Sequence, residues 1–523
     1  MNSKAKKKKR QRERERLRQE EEKKEKETPI IIDNDLKSKE AKKKESNFLL
    51  NKKFLSSEDG TVFQDHMSNH YKGFLHVPVN QLTPPNFHEK AKQAFEKLRD
   101  AQYYQYDVVM AGGKHSSRTF VKRTLVGEPG ITYKYLGLRL FAHPWSGPDA
   151  PSIMKPIHDL NQNMIAMTKT KPNHGLCNYN LTLINYMEPT SHTKVGFKED
   201  AEYGMGKVSV SWHADSSLED NSSIGVYQCF PKQRASRWDW KIALRPAPER
   251  PNATTIAPVT ISTADGDAYF LLGTFNETHQ HAVLAGSESN RISSTHRVAV
   301  TKQDTYQYIL RRVKGAKKHL RLQLESIELS QMDARTIVLC QKVLTEVELD
   351  WISQYWLQGE QHDKLHAWWQ RPMKTLEAFW ISLEELTFQL HKVCITKPTV
   401  VPRAVLEGFL EELQVRHKQR QLWDERRADK IYQRRISPPF RPVARPVFNE
   451  TRESRLGKNL EHAIQELTQT MNGGSKISTS TLSNKAVANH NEMNRKRSLD
   501  GNPTGGRSNK KKRRKSKKHS NIS

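Results

Sequence analysis

The chain has 523 residues, enough for two or three domains that each bury a core of their own. Apolar residues make up only 35% of it and the net charge is +29, so a large part of the chain is predicted to be disordered. Its four cysteines show no CxxC spacing, and no apolar run approaches about 18 residues, which argues against a disulfide framework, a zinc ribbon, a membrane span and a secreted protein.

Most of the positive charge lies at the two ends of the chain. Residues 1–53 hold 20 Lys and Arg against 11 Asp and Glu, and residues 471–523 hold 14 against 2. We predict a disordered mixed-charge arm over residues 1–53 and a disordered basic tail over residues 441–523. The central fold is therefore only weakly basic.

Two basic clusters stand in the tail, at residues 495–497 and 510–515. Their spacing is typical of a bipartite nuclear-import signal, which predicts a nuclear protein with the import machinery as a partner. A general polyanion-binding tail is the alternative. Both interpretations place the protein near nucleic acid.

Between the ends, the pattern changes once. After a partly helical segment at residues 89–101, short β-branched and aromatic runs separated by turn residues predict strands at 179–187, 207–213, 224–229, 240–244, 259–262, 267–272, 281–285 and 296–301. Eight short strands at this spacing predict a sandwich or a double-sheet jelly roll. We assign this domain to residues 54–304.

The character becomes helical after about residue 305. Apolar residues recur every three or four positions in 337–356 and 365–390, and a strongly basic helix follows at 404–435. The many tryptophans of this region favour the core of a helical bundle over a platform that stacks bases. The predicted fold class is thus α+β, with a jelly-roll domain followed by a helical domain over residues 305–440.

The strongest chemical signal is His213-Ala214-Asp215 at the end of an alternating strand. Residues i and i+2 of an extended segment point to the same side, so an imidazole and a carboxylate can share a metal ion. A second histidine-rich strand, His279-Gln280-His281, can supply another ligand. Two histidines and one carboxylate suit non-haem Fe(II), although a zinc hydrolase can use similar ligands.

An arginine-containing strand follows the second histidine motif. Arg291, Ser293, Thr295 and Arg297 alternate along RISSTHR, and an arginine there can hold a carboxylate through two hydrogen bonds. A dicarboxylate co-substrate needs such a group, whereas a zinc hydrolase does not. The two histidine motifs and this arginine strand together favour an Fe(II) enzyme with a keto-acid co-substrate. The alternative is that RISSTHR is an ordinary surface strand.

At these residues the sequence resembles the AlkB-type Fe(II)- and 2-oxoglutarate-dependent nucleic-acid oxygenases. The resemblance is carried by GEPGITYKYLGLRLF (127–141), YNLTLINYMEP (179–189), YGMGKVSVSWHAD (203–215), GDAYFLLGTFNETHQHAVLAGS (266–287) and RISSTHRVAV (291–300), and it continues into the helical segments 346–359 and 368–380. It implies a double-stranded β-helix catalytic domain followed by a helical bundle.

The resemblance also implies roles for individual residues. His213, Asp215 and His281 match the iron ligands. The 2-oxoglutarate contacts match Asn185, Tyr269, Arg291, Ser293, Thr295 and Arg297. The residues that hold the methylated base match Arg123 and Tyr135, with Ser211, Trp212 and Ser216 beside the iron strand; Ser216 stands where relatives carry a glutamate.

The predicted function is therefore oxidative demethylation of N-methylated nucleobases. The expected substrate is N6-methyladenine in RNA that is single-stranded or has the base flipped out, and the co-products are formaldehyde, succinate and CO₂. Repair of 3-methyl pyrimidines in single-stranded DNA or RNA, hydroxylation of a protein or metabolite, and an inactive nucleic-acid-binding scaffold are the alternatives.

Overall fold

The structure, a computed structural model, describes residues 54–111, 115–135, 137–191, 197–231, 240–325, 328–358, 367–428 and 455–473. The predicted arm and both basic clusters of the tail lie outside the described residues. The chain divides into two units, Met1–Leu467 and Thr468–Ser523, and of the second only the end of a helix and the two residues after it are described.

The strands come first along the chain, as the sequence predicts. They are β1 Leu55–Ser56, β2 Phe74–Val77, β3 Gln105–Ala111, β4 His115–Gly127, β5 Thr132–Tyr135, β6 Leu138–Phe141, β7 His143–Pro144, β8 Leu181–Met187, β9 Val208–His213, β10 Ile224–Cys229, β11 Trp240–Pro246, β12 Val259–Thr263, β13 Ala268–Leu271, β14 His279–Leu284 and β15 Arg291–Arg297.

Helices flank the strands and then replace them. They are α1 Gly60–His70, α2 Phe87–Asp100, α3 Lys155–Lys169, α4 Phe275–Thr278, α5 Tyr306–Glu325, α6 Ala334–Thr345, a π-helix Glu346–Ser353, α7 Gln354–Gln358, α8 Ala367–Thr396, α9 Arg403–Ala428 and α10 Arg455–Met471. Among the described helices, none is both long and apolar enough to cross a membrane.

The strands form two main sheets. The minor sheet has the order β1-β12-β11-β14-β9, and the major sheet has the order β2-β13-β10-β15-β8-β4-β3, with β7 beside β4. Side chains from both sheets, such as Val226 and Tyr269 of the major sheet and Ile242 of the minor sheet, share one apolar core. This arrangement confirms the predicted double-stranded β-helix.

The major sheet is covered on both faces, and its central strand β10 shows why. Val226 packs into the core between the sheets, whereas Tyr227 packs against α2 and α3 through residues such as Phe95 and Met164. Successive side chains of a strand point to opposite faces, so β10 needs apolar residues on both. All six of its residues are buried.

Two parts of the sequence interpretation need correction. The last strand is Arg291–Arg297 rather than residues 296–301, because β15 pairs along that whole length with β8. The helical domain also extends past residue 440, since α10 forms within the predicted tail and buries Leu460 and Ala463. The apolar spacing of α10 is helical, and the sequence interpretation missed it by joining this segment to the basic tail that follows it.

The helical domain holds the β5–β6 hairpin through a buried arginine. Arg139 of β6 donates from Nη1 to Asp304 Oδ1 (2.9 Å) and from Nε to the carbonyl of Asp350 (2.8 Å) in the π-helix. Its guanidinium also lies over the ring of Trp351, 4.1 Å from the centroid. The hairpin is thus fixed from the helical side.

We expect Arg139→Met to lower the free energy of unfolding by about 3–5 kcal/mol, because the mostly buried Asp304 would lose the charged group that hydrogen-bonds it. Lys134→Met is the matched control. Lys134 contacts the same two aspartates, but it is half exposed, and its loss should cost at most about 1 kcal/mol. Equal shifts of the two variants in thermal unfolding would contradict this account of the hairpin.

Candidate active site

Two histidines meet where β9 and β14 pair in the minor sheet. His213 and His281 are direct cross-strand partners, and their ring centroids lie 4.2 Å apart. Asp215 follows two residues after the end of β9. One ligand atom of each of the three residues lies within 4.8 Å of the others, which is close enough to hold one metal ion.

The two imidazoles are prepared as metal ligands. His213 Nδ1 lies 2.8 Å from the carbonyl oxygen of Ser211 and donates to it, so the lone pair is left on Nε2. Burial and the neighbouring His213 lower the pKa of His281 to about 3. The ring of His281 therefore presents the neutral form that binds a metal.

The other histidine of the motif is committed elsewhere. The ring of His279 stacks on Phe275, with centroids 4.1 Å apart, and its Nε2 lies 3.1 Å from the carbonyl of His70. The spacing in the sequence left His279 and His281 both open, the family resemblance implied His281, and the structure places only His281 with His213 and Asp215.

Asp215 is held by an arginine and an asparagine. Arg297 donates from Nη2 to Oδ1 (2.8 Å) and from Nε to Oδ2 (3.0 Å) of the carboxylate. Burial disfavours the charge, but Arg297, with His213 and His281, holds the pKa of Asp215 well below its usual range. Asn276 of α4 fixes the backbone of Asp215 through hydrogen bonds to both its N–H and its carbonyl.

Arg291 begins β15, and its side chain is fully buried. Its Nε donates to Gln228 Oε1 (2.7 Å) and its Nη1 to Ser293 Oγ (3.2 Å). Among the described residues, the buried Nη2 has no hydrogen-bond partner. Burial lowers the pKa of Arg291, while the neighbouring Tyr269 raises it. An oriented guanidinium with a spare donor suits the far carboxylate of 2-oxoglutarate.

The remaining residues predicted to contact 2-oxoglutarate share one face of the major sheet. Ser293 pairs with Asn185 of β8, and Thr295 pairs with Val226 of β10, which in turn pairs with Tyr269 of β13. Directly paired residues point to the same side of a sheet. The register therefore brings these positions together, although they are scattered along the sequence.

Arg123, one of the two residues predicted to hold the base, lies on the same face one strand further. It pairs with Asn185, is buried, and its Nε lies 2.9 Å from Asp107 Oδ2. Tyr135 ends β5, but its side chain is outside the described part of the structure, so its role stays a prediction.

The predictions for the residues beside the iron strand are corrected in part. Trp212 packs with Tyr203 and Met205 on the outer face of the minor sheet, because it alternates with His213. Ser211 and Ser216 are exposed, and both contact the site through their backbone carbonyls. The side chain of Trp212 is therefore not part of the pocket.

Tyr133 connects the hairpin to the metal-binding residues, and sequence reasoning missed it. Its hydroxyl donates to the carbonyl of Ser216 (2.9 Å), next to Asp215. The guanidinium of Arg297, which binds Asp215, lies over its ring, 5.3 Å from the centroid. Tyr133 thus contacts both the loop after Asp215 and the arginine that binds Asp215.

We expect Tyr133→Phe to weaken Fe(II) binding several-fold and to raise the ratio of succinate to formaldehyde, because the loop after Asp215 loses its tether. The missing hydrogen bond should cost about 1 kcal/mol of stability. Tyr104→Phe is the matched control, since it also removes a hydroxyl-to-carbonyl bond, to Phe95, but far from the metal residues. A product ratio that changes equally in both variants would contradict this role.

Gln228 and Asn276 were missed as well. Gln228 orients Arg291, and Asn276 fixes the backbone of Asp215. Neither stands in a recognisable motif, because amides that position another residue have no fixed spacing from it in the sequence. Only the paired strands and the short helix α4 show what they hold.

Two family models match this chain, one over the jelly-roll domain and one over the helical domain. A family model described as the FTO catalytic domain matches residues 61–169 and 153–300, and one described as the FTO C-terminal domain matches residues 304–469. Together they span most of the chain in the expected order. The chain belongs to the FTO family.

One similar protein of this family is the alpha-ketoglutarate-dependent dioxygenase FTO of Xenopus laevis. It is 28% identical across 80% of this chain and 93% of its own length. Alpha-ketoglutarate is another name for 2-oxoglutarate. The chain is accordingly a 2-oxoglutarate-dependent dioxygenase that uses Fe(II), and the resemblance seen in the sequence is confirmed.

Two solved structures outside the FTO family are similar to this chain. A 2OG-Fe(II) oxygenase of Burkholderia pseudomallei has 15% identity and a TM-score of 0.27, covering 45% of this chain and 89% of its own. A prolyl hydroxylase of Trichoplax adhaerens, in complex with a peptide fragment, has 11% identity and a TM-score of 0.28, covering 49% and 92%. At these scores neither likeness bears on the substrate.

Proposed function

We propose that this dioxygenase demethylates N-methylated nucleobases, with N6-methyladenine in RNA as its main substrate. In this proposal His213, Asp215 and His281 hold Fe(II), and Arg291 binds the far carboxylate of 2-oxoglutarate. Arg123 hydrogen-bonds the edge of the base, while Tyr135 stacks on its face.

The observation that carries the proposal is the position of Arg123. Arg123 lies in the same row of paired residues as Asn185 and Ser293, so a further arginine stands near the 2-oxoglutarate residues, in addition to Arg291 and Arg297. Arginine is a common nucleic-acid-binding residue, and its guanidinium can hydrogen-bond or stack on a base. A hydroxylase of aliphatic side chains has no need of this group.

Bound Fe(II), with 2-oxoglutarate and O₂ as co-substrates, would supply the oxidising power for hydroxylating an N-methyl group, one oxygen atom of O₂ going into the hydroxymethyl group and the other into succinate. The hydroxymethyl product then breaks down to the free amine and formaldehyde, and 2-oxoglutarate leaves as succinate and CO₂. The residues of this chain contribute the ligands, the orientation of both substrates and the exclusion of water. A base inside a duplex cannot reach such a buried site, so the RNA must be single-stranded or must present a flipped base.

A formaldehyde-release assay on a panel of oligonucleotides tests the proposal. The panel holds N6-methyladenine RNA, 3-methylpyrimidine RNA and DNA, and unmethylated RNA, each with and without 2-oxoglutarate. We expect formaldehyde and succinate in equal amounts from N6-methyladenine RNA. Turnover of 3-methylpyrimidines alone would favour repair, and no turnover of any oligonucleotide would favour a protein or metabolite substrate.

We also propose that the enzyme works in the nucleus and that its basic tail engages the import machinery. The support is the pair of basic clusters at residues 495–497 and 510–515. Deleting residues 474–523, which spares α10, should abolish nuclear accumulation of the tagged protein and reduce the salt dependence of its RNA binding. Nuclear accumulation of the deletion variant at the wild-type level would contradict the proposal.

A further inference from the structure

The helix α5, which opens the helical domain, has two opposite faces. One face is buried and packs into the bundle through Ile309, Val313, Ala316 and Leu320. These positions are three or four residues apart, as expected of an amphipathic helix. The other face is exposed.

That exposed face carries charge of a single sign. Arg311, Lys314, Lys318 and Arg321, here called the α5 stripe, are all exposed. At about 100° per residue they fall within about 80° of one another around the helix axis. The whole helix holds six Lys and Arg against the single acidic residue Glu325.

The α5 stripe has almost no counter-charge. Among the described residues, Arg311, Lys314 and Lys318 form no ion pair, and Arg321 has only Glu325, at 3.9 Å. The helix α9 of the same domain differs, because its arginines at positions 403, 416 and 420 each pair with a glutamate. A surface that serves solubility alone usually mixes both signs.

The positive surface continues onto α8. Tyr306 and Lys317 of α5 face Trp368 and Phe379 of α8, so the two helices run side by side in the same direction. Arg371 of α8 is exposed. An open groove of about 560 Å³ follows this helix and is lined by Gln370, Arg371, Lys374, Thr375, Ala378 and Phe379.

The helix of the α5 stripe starts at the turn that joins the strand of Arg123 to the hairpin of Tyr135. Tyr306 donates its backbone N–H to the carbonyl of Gly130 (2.8 Å), in the turn between the strand of Arg123 and the hairpin of Tyr135. Arg311 lies about 8 Å along the helix from Tyr306, and Arg321 about 23 Å. A polymer that leaves the base site on this side would meet the stripe next.

We propose that the α5 stripe, with Arg371 and Lys374 of α8, binds the sugar–phosphate backbone of the substrate RNA beside the methylated base. The inference rests on the proposed function and extends it to a second contact surface. Evenly spaced cations along one helix fit a chain of phosphates. A membrane surface fits less well, because a membrane-binding helix needs an exposed apolar face. Among its described residues, α5 exposes one large apolar side chain, that of Leu322.

The test uses the full-length chain with Arg311, Lys314, Lys318 and Arg321 all replaced by Gln. Lys90, Lys97, Lys155 and Lys169, which are exposed on α2 and α3, are replaced by Gln in the matched control, so that net charge falls equally. Binding of a labelled 15-nucleotide RNA is followed by fluorescence anisotropy across a salt series. KM is measured for this RNA and for a trinucleotide, each with one N6-methyladenine.

We expect the stripe variant to bind the 15-nucleotide RNA at least tenfold more weakly and to raise its KM to match, with the trinucleotide KM and kcat unchanged. The slope of log K against log salt should fall by about 0.7 for each phosphate that the variant no longer neutralises. The control variant should stay within twofold of the wild type. Because binding is read without turnover, an incorrect substrate assignment would not mimic a failure of the stripe.

Equal losses of RNA affinity in the stripe variant and the control variant would show that net charge alone causes the effect. This result would overturn the proposal. Unchanged binding by the stripe variant would overturn it as well. The same proteins are also mixed with anionic lipid vesicles and with polyglutamate. If the stripe substitutions weakened one of these interactions but not RNA binding, the partner of the surface would be a membrane or an acidic protein instead.

Discussion

Replacing Asp215 by alanine should abolish turnover, with formaldehyde and succinate both falling more than about 1,000-fold. Asp215 supplies the carboxylate oxygen beside His213 and His281, and no other acidic side chain among the described residues joins this group. The same change removes the partner of the buried Arg297 guanidinium, so Fe(II) binding and stability should fall together. Both products and Fe(II) affinity are measured.

A second variant separates chemistry from folding. Asp215→Asn keeps the size of the side chain and one oxygen for Arg297, but an amide is a poor iron ligand. We expect the Asp215→Asn variant to be more thermally stable than the Asp215→Ala variant and to be just as inactive. Asp220→Ala, an exposed carboxylate five residues away, should leave turnover within twofold of the wild type. Wild-type formaldehyde release from either Asp215 variant would rule out the assigned ligand.

Replacing Arg291 by glutamine should raise the KM for 2-oxoglutarate on the order of 100-fold, because a charged donor pair is worth about 3 kcal/mol. The side chain is 1% exposed, so water cannot substitute for the missing hydrogen bonds. Fe(II) binding should change little, since Arg291 is not one of the three residues grouped as metal ligands. Succinate formation across a 2-oxoglutarate series measures the first effect, and direct metal titration measures the second.

Arg291→Lys distinguishes charge from geometry at this position. Lysine keeps the charge but lacks the fork that Gln228 and Ser293 orient, so its KM for 2-oxoglutarate should lie between those of the wild type and the Gln variant. Arg99→Gln, at a half-buried arginine on α2, is the control and should leave this KM unchanged. A 2-oxoglutarate requirement that is the same in all four proteins would remove Arg291 from this role.

Arg297 connects the metal-ligand carboxylate of Asp215 to the β5–β6 hairpin. It binds both oxygens of Asp215 and lies over Tyr133, which is tied to the backbone of Ser216. The hairpin that carries Tyr133 is itself fixed to the π-helix through Arg139. An unbroken set of contacts therefore joins the helical domain to the metal-ligand carboxylate, and it explains how a domain that supplies none of the candidate ligands can support them.

Local pattern, together with the family resemblance, predicted the class of this protein from the sequence. Alternating apolar residues and turn residues set the strands, because a half-buried strand needs a period of two. The i, i+2 spacing of His213 and Asp215 pointed to a shared metal ion, and RISSTHR pointed to a keto-acid partner. The residues that make up each signal lie within a few positions of one another, so a single sequence is enough to show each signal.

The tertiary structure decided what depends on residues far apart in the chain. It placed Trp212 on the outer face and revealed Gln228, Asn276 and Tyr133 as supports. It also added α10 to the helical domain, where His391 meets the carbonyl of Ala463. Sheet register and packing fix the contacts of Gln228, Asn276 and Tyr133, which leave no periodic trace in the sequence, because each partner is set by the whole fold rather than by its neighbours.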